Sequence, residues 1–304
     1  MDGHRQVSEA QAICDRLLAL PAPAKLNLFL HVVGRRDDGY HLLQTVFRFI
    51  DLCDEIDLVL REDGVIARTA GPSEVAPETD LVVRAAHALR AATGCTLGVD
   101  IAVRKRIPMG GGLGGGSSNA ATVLIGLNRL WRLGLSRQRL QAIGLALGAD
   151  VPVFVFGRSA FAEGVGERLQ PITLPPTRYL VVWPGVGVPT ATIFNDPGLT
   201  RNTPAVTLAS FSEIESVAYA EFGRNDLESV ASSRFREVRD ALNWLRQFGP
   251  SRMSGSGGCC FTSFKQSLLQ PTEPPPAPSN MQAWCVDGID IHPLAHWVHD
   301  EASP

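Results

Sequence analysis

Six glycines crowd residues 108–119, Pro-Met-Gly-Gly-Gly-Leu-Gly-Gly-Gly-Ser-Ser-Asn, directly ahead of an apolar stretch. Residues without a Cβ let a backbone curl tightly around a ligand, and the first amides of a following helix are unpaired and partly positive. Ser117 and Ser118 add hydroxyl donors at the same end. Together these features make an anion cradle, and a polyphosphate is the ligand that suits it. Two common phosphate motifs fit it badly. Gly110, Gly112 and Gly115 satisfy G-x-G-x-x-G, but about twenty residues on, around Trp131, no acid is available for a ribose hydroxyl. The Walker pattern needs a lysine that this turn lacks, so its countercharge must come from elsewhere.

The basic residues are almost all arginine; the only lysines are Lys25, Lys105 and Lys265. A compact ammonium does what a broad guanidinium cannot in a tight site, which makes each lysine a candidate for such a role or a chance survivor on the surface. Lys25 lies in an apolar strand, and Asp150 immediately precedes the equally apolar Val-Pro-Val-Phe-Val-Phe. Either charge is costly to bury alone, and burial becomes tolerable if the two meet each other or a charged ligand. An aspartate within reach of a substrate hydroxyl can accept its proton, and a neighbouring ammonium keeps that aspartate ionised. The same residues would also serve as a structural ion pair, or Asp150 as a helix cap.

The elements that must hold these groups follow from periodicity. Lys25-Leu-Asn-Leu-Phe-Leu-His alternates, which places Lys25, Asn27, Phe29 and His31 on one strand face and Leu26, Leu28 and Leu30 on the other. A turn over residues 34–39 leads to a second strand through residues 42–50, with more strand at 56–60. Residues 80–92 have helical spacing and stop near Gly94; residues 97–103 read as a strand running into the glycine turn. A helix follows from Ser117, Ser136 caps another that stops near Gly148, and residues 151–156 return to strand. Past Leu169 a proline-containing stretch reads as a linker, then comes a strand at 179–183 and mainly helical spacing to about Phe248. The proline-rich residues 271–279 should form an exposed loop.

Composition bounds the function classes. The chain has 304 residues, 45% hydrophobic and 19% charged, with net charge −3, an ordinary globular composition long enough for two lobes. No polyanion-binding surface, and so no nucleic-acid partner, is implied. The first twenty residues carry Asp2, Glu9 and Asp15 and lack a secretory pattern, and no apolar run is long enough to span a membrane. A cytoplasmic location is expected. Six cysteines show no C-x-x-C spacing, and Cys259 and Cys260 open an apolar stretch, so reduced, packed thiols are expected.

Five segments together resemble the GHMP kinases: the glycine turn, Pro23-Ala-Lys-Leu-Asn-Leu, Asp38-Gly-Tyr-His-Leu-Leu-Gln-Thr, Gly148-Ala-Asp-Val-Pro, and Met253-Ser-Gly-Ser-Gly-Gly. The second and third narrow the resemblance to the branch whose acceptor is a cytidyl-tagged methylerythritol. The resemblance implies an α+β, two-lobed fold with the active site in the cleft between the lobes. It implies ATP-dependent phosphorylation of the 2-hydroxyl of 4-diphosphocytidyl-2-C-methyl-D-erythritol, a step of non-mevalonate isoprenoid synthesis. By position, Lys25 and Asp150 match the family's catalytic pair. Pro108, Met109, Gly110, Gly111, Gly112, Leu113, Gly114, Gly115, Gly116, Ser117 and Ser118 match its ATP phosphate loop. Asn27 would hold the methylerythritol hydroxyls, Tyr40 and His41 would recognise cytosine, and Phe194 would close the other side of the base. Residues 255–258 would form a second glycine turn near the reacting groups.

Magnesium is expected as the ATP complex, with no dedicated carboxylate cluster to name its ligands. The expected division is an N-terminal extension over residues 1–20, an N-terminal lobe over 21–172 and a C-terminal lobe over 173–304. The expected partners are ATP and the cytidyl substrate, and the chain a monomer or homodimer. A catalytically silent nucleotide-binding protein is the alternative class. A GHMP kinase for mevalonate or homoserine is the other enzyme reading, and Tyr40, His41 and Phe194 argue against it because those substrates carry no base.

Overall fold

The computed structural model describes residues 15–212, 222–264 and 272–301. Its elements run β1 (Arg16–Arg35), β2 (His41–Arg61), β3 (Ile66–Ala70), α1 (Leu81–Thr93), β4 (Gly98–Arg104), α2 (Gly115–Leu130), α3 (Arg137–Leu145), α4 (Val151–Phe156), β5 (Ala160–Glu163), β6 (Arg168–Pro171) and β7 (Arg178–Trp183). Then follow α5 (Thr190–Phe194), α6 (Leu208–Ser212), α7 (Glu228–Arg234), α8 (Arg236–Leu245), β8 (Ser251–Met253), β9 (Cys260–Ser263) and β10 (Gln282–Ile289). The expected Lys265 and the start of the proline-rich loop lie outside the described residues, as do residues 1–14.

The frame is the long antiparallel pair β1 and β2, to which β4 adds along the second half of β2 and β5 along its first half. The sheet continues β3-β4-β2-β10-β7-β9-β8, so β10 joins the strands of the two halves of the chain. One apolar cluster lies between this frame and α1, α2, α3 and α4; another, built on α7, α8 and β7, fills the second half. The expected cap Ser136 holds, accepting from the Arg139 amide at 3.2 Å, and Asp80, not among the expected caps, accepts from the Val82 amide at 3.1 Å, each satisfying an otherwise orphaned donor.

Four sequence expectations need correction. Residues 151–156 form a helix, α4, rather than a strand. A short run that is apolar at every position cannot distinguish a buried strand from a buried helix, and Pro152 in the first turn, where its missing N–H costs nothing, is the signal that decides it. The alternation along β1 also breaks: the register slips between Asn27 and Leu30. A bulge inserts one residue and exchanges the faces beyond it. Phe29 consequently packs with Leu26 and Leu28, while Leu30 faces the second half of the chain. Finally, β1 begins at Arg16, inside the segment expected as an extension, and residues 170–171 belong to β6 rather than to a linker.

The chain crosses back after β10. Arg48, buried in β2, pairs with Asp290 and also donates to the carbonyls of Pro175 at 3.2 Å and Gly288 at 3.0 Å. Leu294 and Val298 then enter the first core, and Arg137 donates to the carbonyls of Ala295 and Val298. The last described residues thus pack on the N-terminal half, within the range expected for the other lobe.

Candidate active site

Lys25 emerges from the middle of β1 and Asp150 from the N-cap position of α4, and their charged atoms stand 3.2 Å apart. The Asp150 side chain makes no capping hydrogen bond, which removes the cap reading and leaves the carboxylate free for the ammonium and for a ligand. Lys25 is 3% exposed and Asp150 34%, so the pair has a closed end and an open end. Lys25 Nζ also donates to Asn27 Oδ1 at 2.5 Å and lies 5.4 Å from the centre of the Phe47 ring.

Asn27 is fixed in turn. Its Nδ2 donates to Thr45 Oγ1 at 2.9 Å, and Thr45 Oγ1 donates to the Phe29 carbonyl. Because the hydroxyl proton is committed to that carbonyl, the oxygen must accept from the Asn27 amide, and Oδ1 is thereby turned toward Lys25. Thr45 stood within a quoted sequence segment, but no periodicity marks it as the residue opposite Leu30 on β2.

The glycine turn is held by its carbonyls. Leu113 O accepts from the Lys25 amide at 2.9 Å, Gly111 O from the Cys259 amide at 2.8 Å and Gly112 O from Ser254 Oγ at 3.1 Å. Ser254 Oγ accepts from the Asn27 amide at 3.2 Å, tying the turn to β1 through the second glycine turn. Asn225 secures that second turn by donating to Met253 O and Gly255 O, both at 2.8 Å. With the carbonyls engaged on the protein side, the first amides of α2 remain the free donors at this end. Two of the glycines answer to close approach. Gly112 has φ +74°, and a Cβ there would meet Ser254 O at 2.1 Å; at Gly114, φ +72°, it would meet Lys25 Cε at 3.1 Å and Phe154 Cζ at 3.0 Å.

A cavity of about 580 Å³ opens over these groups, bordered by residues 108–117, Lys25, Asn27, Asp150 and Phe194. Ser118 lies fully buried beneath the turn. Lys105 borders the cavity as well and is paired with Asp54, a fully buried carboxylate that also accepts from the Arg106 and Ile107 amides at 2.7 and 2.9 Å. Among the described residues no group of three or more His, Cys, Asp or Glu side chains could hold a metal ion. Hard oxygens are present nonetheless: Asp150 and Asn119 border the cavity, and the buried Asn119 Oδ1 has no hydrogen-bond partner. That donor set fits a magnesium ion that arrives with its nucleotide.

The proposed base-recognition residues are brought together in part. His41 lies against Phe194, ring centroids 5.0 Å apart and planes tilted by 33°. Tyr40, beside it in the connection between β1 and β2, is 65% exposed and does not border the cavity. Arg201 was not foreseen from the sequence; its Nε donates to His41 Nε2 at 3.1 Å. No cysteine among the described residues borders the cavity, and burial pushes Cys259 and Cys260 well above the ordinary thiol range and Cys53 up to about 11. No helix among the described residues is long and apolar enough to cross a membrane.

Two family models match the chain: the GHMP kinases N terminal domain over residues 80–158 and the GHMP kinases C terminal domain over residues 210–270. A 4-diphosphocytidyl-2-C-methyl-D-erythritol kinase of Thiobacillus denitrificans is 57% identical over 285 residues, covering 92% of this chain and 98% of the relative. The namesake from Ralstonia nicotianae is 54% identical over 276 residues, covering 90% and 95%. A crystal structure of 4-(cytidine 5'-diphospho)-2C-methyl-D-erythritol kinase superposes with a TM-score of 0.68 at 34% identity, covering 90% of this chain and 99% of that one. A homoserine kinase from Cytophaga hutchinsonii, 16% identical with a TM-score of 0.63 over 85% of this chain and 88% of that one, shares the fold. Sequence identity of this extent and the same two-part architecture make the chain a member of the GHMP kinases and, within them, of the 4-diphosphocytidyl-2-C-methyl-D-erythritol kinase family.

Proposed function

We propose that the chain transfers the γ-phosphoryl group of ATP to the 2-hydroxyl of 4-diphosphocytidyl-2-C-methyl-D-erythritol, giving the 2-phosphate and ADP, with Lys25 and Asp150 as its catalytic pair. The observation that carries the reading is the 3.2 Å approach of Lys25 to Asp150 at the wall of the cavity that the glycine turn also borders. Asp150 accepts the hydroxyl proton as the oxygen attacks the γ-phosphorus and the bond to the β-bridging oxygen breaks. The Lys25 ammonium, 3.2 Å from the Asp150 carboxylate, faces the charge that develops during transfer. Asn27 orients the ammonium through Oδ1 and lies where it can also meet the hydroxyls of the acceptor.

Residues 108–118 hold the phosphates with the free amides at the start of α2. Magnesium bound to ATP would neutralise phosphate charge, with Asn119 as an oxygen donor on the protein side. Tyr40, His41 and Phe194 take the cytosine: an aromatic face, a base-edge partner and a second ring closing the other side. The test is ADP formation by the purified chain with each acceptor alcohol in turn. ADP should appear only with the cytidyl substrate; ADP formed equally well with mevalonate or homoserine would overturn the reading.

A further inference from the structure

Arg201 lies between two residues that the cytidyl reading assigns to the base. Its Nε donates to His41 Nε2 at 3.1 Å, its Nη1 to Leu199 O at 3.0 Å, and its Nη2 to Phe194 O at 3.0 Å and Asp196 O at 2.7 Å. Every nitrogen of the guanidinium is engaged, and three backbone carbonyls fix its plane. A guanidinium only donates and does not lose its proton in a protein. His41 Nε2 must therefore be an acceptor, and in a neutral imidazole the proton then resides on Nδ1. Burial first, and then the positive charges of Arg201 and Arg35, lower the His41 pKa and favour that neutral ring. The ring itself is seated against Phe194, whose carbonyl Arg201 also holds.

We infer that Arg201 is a positioning and specificity-determining residue, which holds His41 as the Nδ1–H tautomer and thereby makes it a hydrogen-bond donor to the base. This rests on the cytidyl reading above. Cytosine offers an acceptor at N3, where uracil carries an N–H. A fixed Nδ1–H meets the first with a hydrogen bond and the second donor to donor. The opposite tautomer would reverse the preference. Discrimination of this kind comes from the pairing rejected as much as from the pairing made.

The test combines a tautomer measurement with nucleotide competition. In the ¹⁵N spectrum of histidine-labelled protein, His41 should show a protonated Nδ1 and an unprotonated Nε2. CDP should compete with the substrate at least about tenfold better than UDP, and Arg201→Ala should reduce that ratio about tenfold, the loss appearing in the KM for the cytidyl substrate while the KM for ATP changes by less than about twofold. Because Arg201 also holds three carbonyls, two variants that keep it provide an independent check. His41→Asn retains an amide donor near the Nδ1 position and should keep most of the CDP preference, whereas His41→Gln should lose it. A protonated Nε2 in the unaltered protein, or a CDP-to-UDP ratio unmoved by both Arg201→Ala and His41→Gln, would overturn the inference. Failure of CDP to compete at all would instead overturn the cytidyl reading and the specificity role with it, and the tautomer would then report alone on whether Arg201 holds His41.

Discussion

Lys25 Nζ and Asp150 Oδ2 face each other at 3.2 Å, from the middle of a strand and from the N-cap of a helix. The lysine is buried and the aspartate partly open, an arrangement a purely structural pair does not need. Gly114 makes it possible, because any side chain there would press on the lysine stem. The phosphate turn and the catalytic pair are thus one construction rather than two neighbours.

Gly114→Ala should therefore separate backbone strain from site damage. A non-glycine residue at φ +72° costs about 1–2 kcal/mol, and the added methyl displaces Lys25 as well. Steady-state kinetics should give a kcat reduced by more than about tenfold. Gly94→Ala is the control: its φ is +70°, a Cβ there meets nothing within 4 Å, and it should lose comparable stability in denaturant melts with kcat unchanged.

Thr45→Val should uncouple Asn27. The isosteric side chain cannot accept from Asn27 Nδ2, so the amide loses its reason to turn Oδ1 toward Lys25. The expected result is a kcat about tenfold lower together with about 1–3 kcal/mol of lost stability from the unpaired buried donor. Thr45→Ser should restore both. Unchanged kcat in the valine variant would mean that Asn27 does not orient the ammonium.

How much of this was visible beforehand depended on whether the signal was local. The glycine turn, the cap Ser136, and the two strands on either side of the turn at 34–39 all rest on residues near in sequence, and they could be read directly. The partners of the site could not. Ser254 reaches Asn27 across 227 positions, and Arg201 reaches His41 across 160. The bulge after Asn27 could not be seen either, because both faces of β1 are buried and the chain shows apolar residues on each. The uniform run at 151–156 carried no period at all, and Pro152 in its first turn was the one signal of the helix that places Asp150. The return of residues 290–300 to the first core goes with the pairing of buried Arg48 and Asp290, 242 positions apart.

Acid should weaken the fold through His292. Burial, and secondarily the charge of Arg137, depress its pKa from 6.5 to about 3. The unfolded chain takes up a proton as pH falls through 6.5, while the folded chain stays neutral until about 3. Between those values the unfolded state binds more protons, so stability falls with decreasing pH by up to about 1.4 kcal/mol per unit. Urea midpoints at pH 7, 6 and 5 should fall in that order, and His292→Asn, though less stable at pH 7, should show the shallower decline. Equal slopes in the two proteins would remove His292 from the account.

The central claim is that Asp150 takes the acceptor's proton, and replacing its carboxylate without changing its size tests this most directly. Asp150→Asn should be assayed for turnover and, by calorimetric titration, for binding of a non-hydrolysable ATP analogue. The account predicts a kcat lower by about 10² or more, with analogue affinity within about threefold of the unaltered protein. Turnover that survives the substitution, or turnover and binding lost in equal measure, would contradict it.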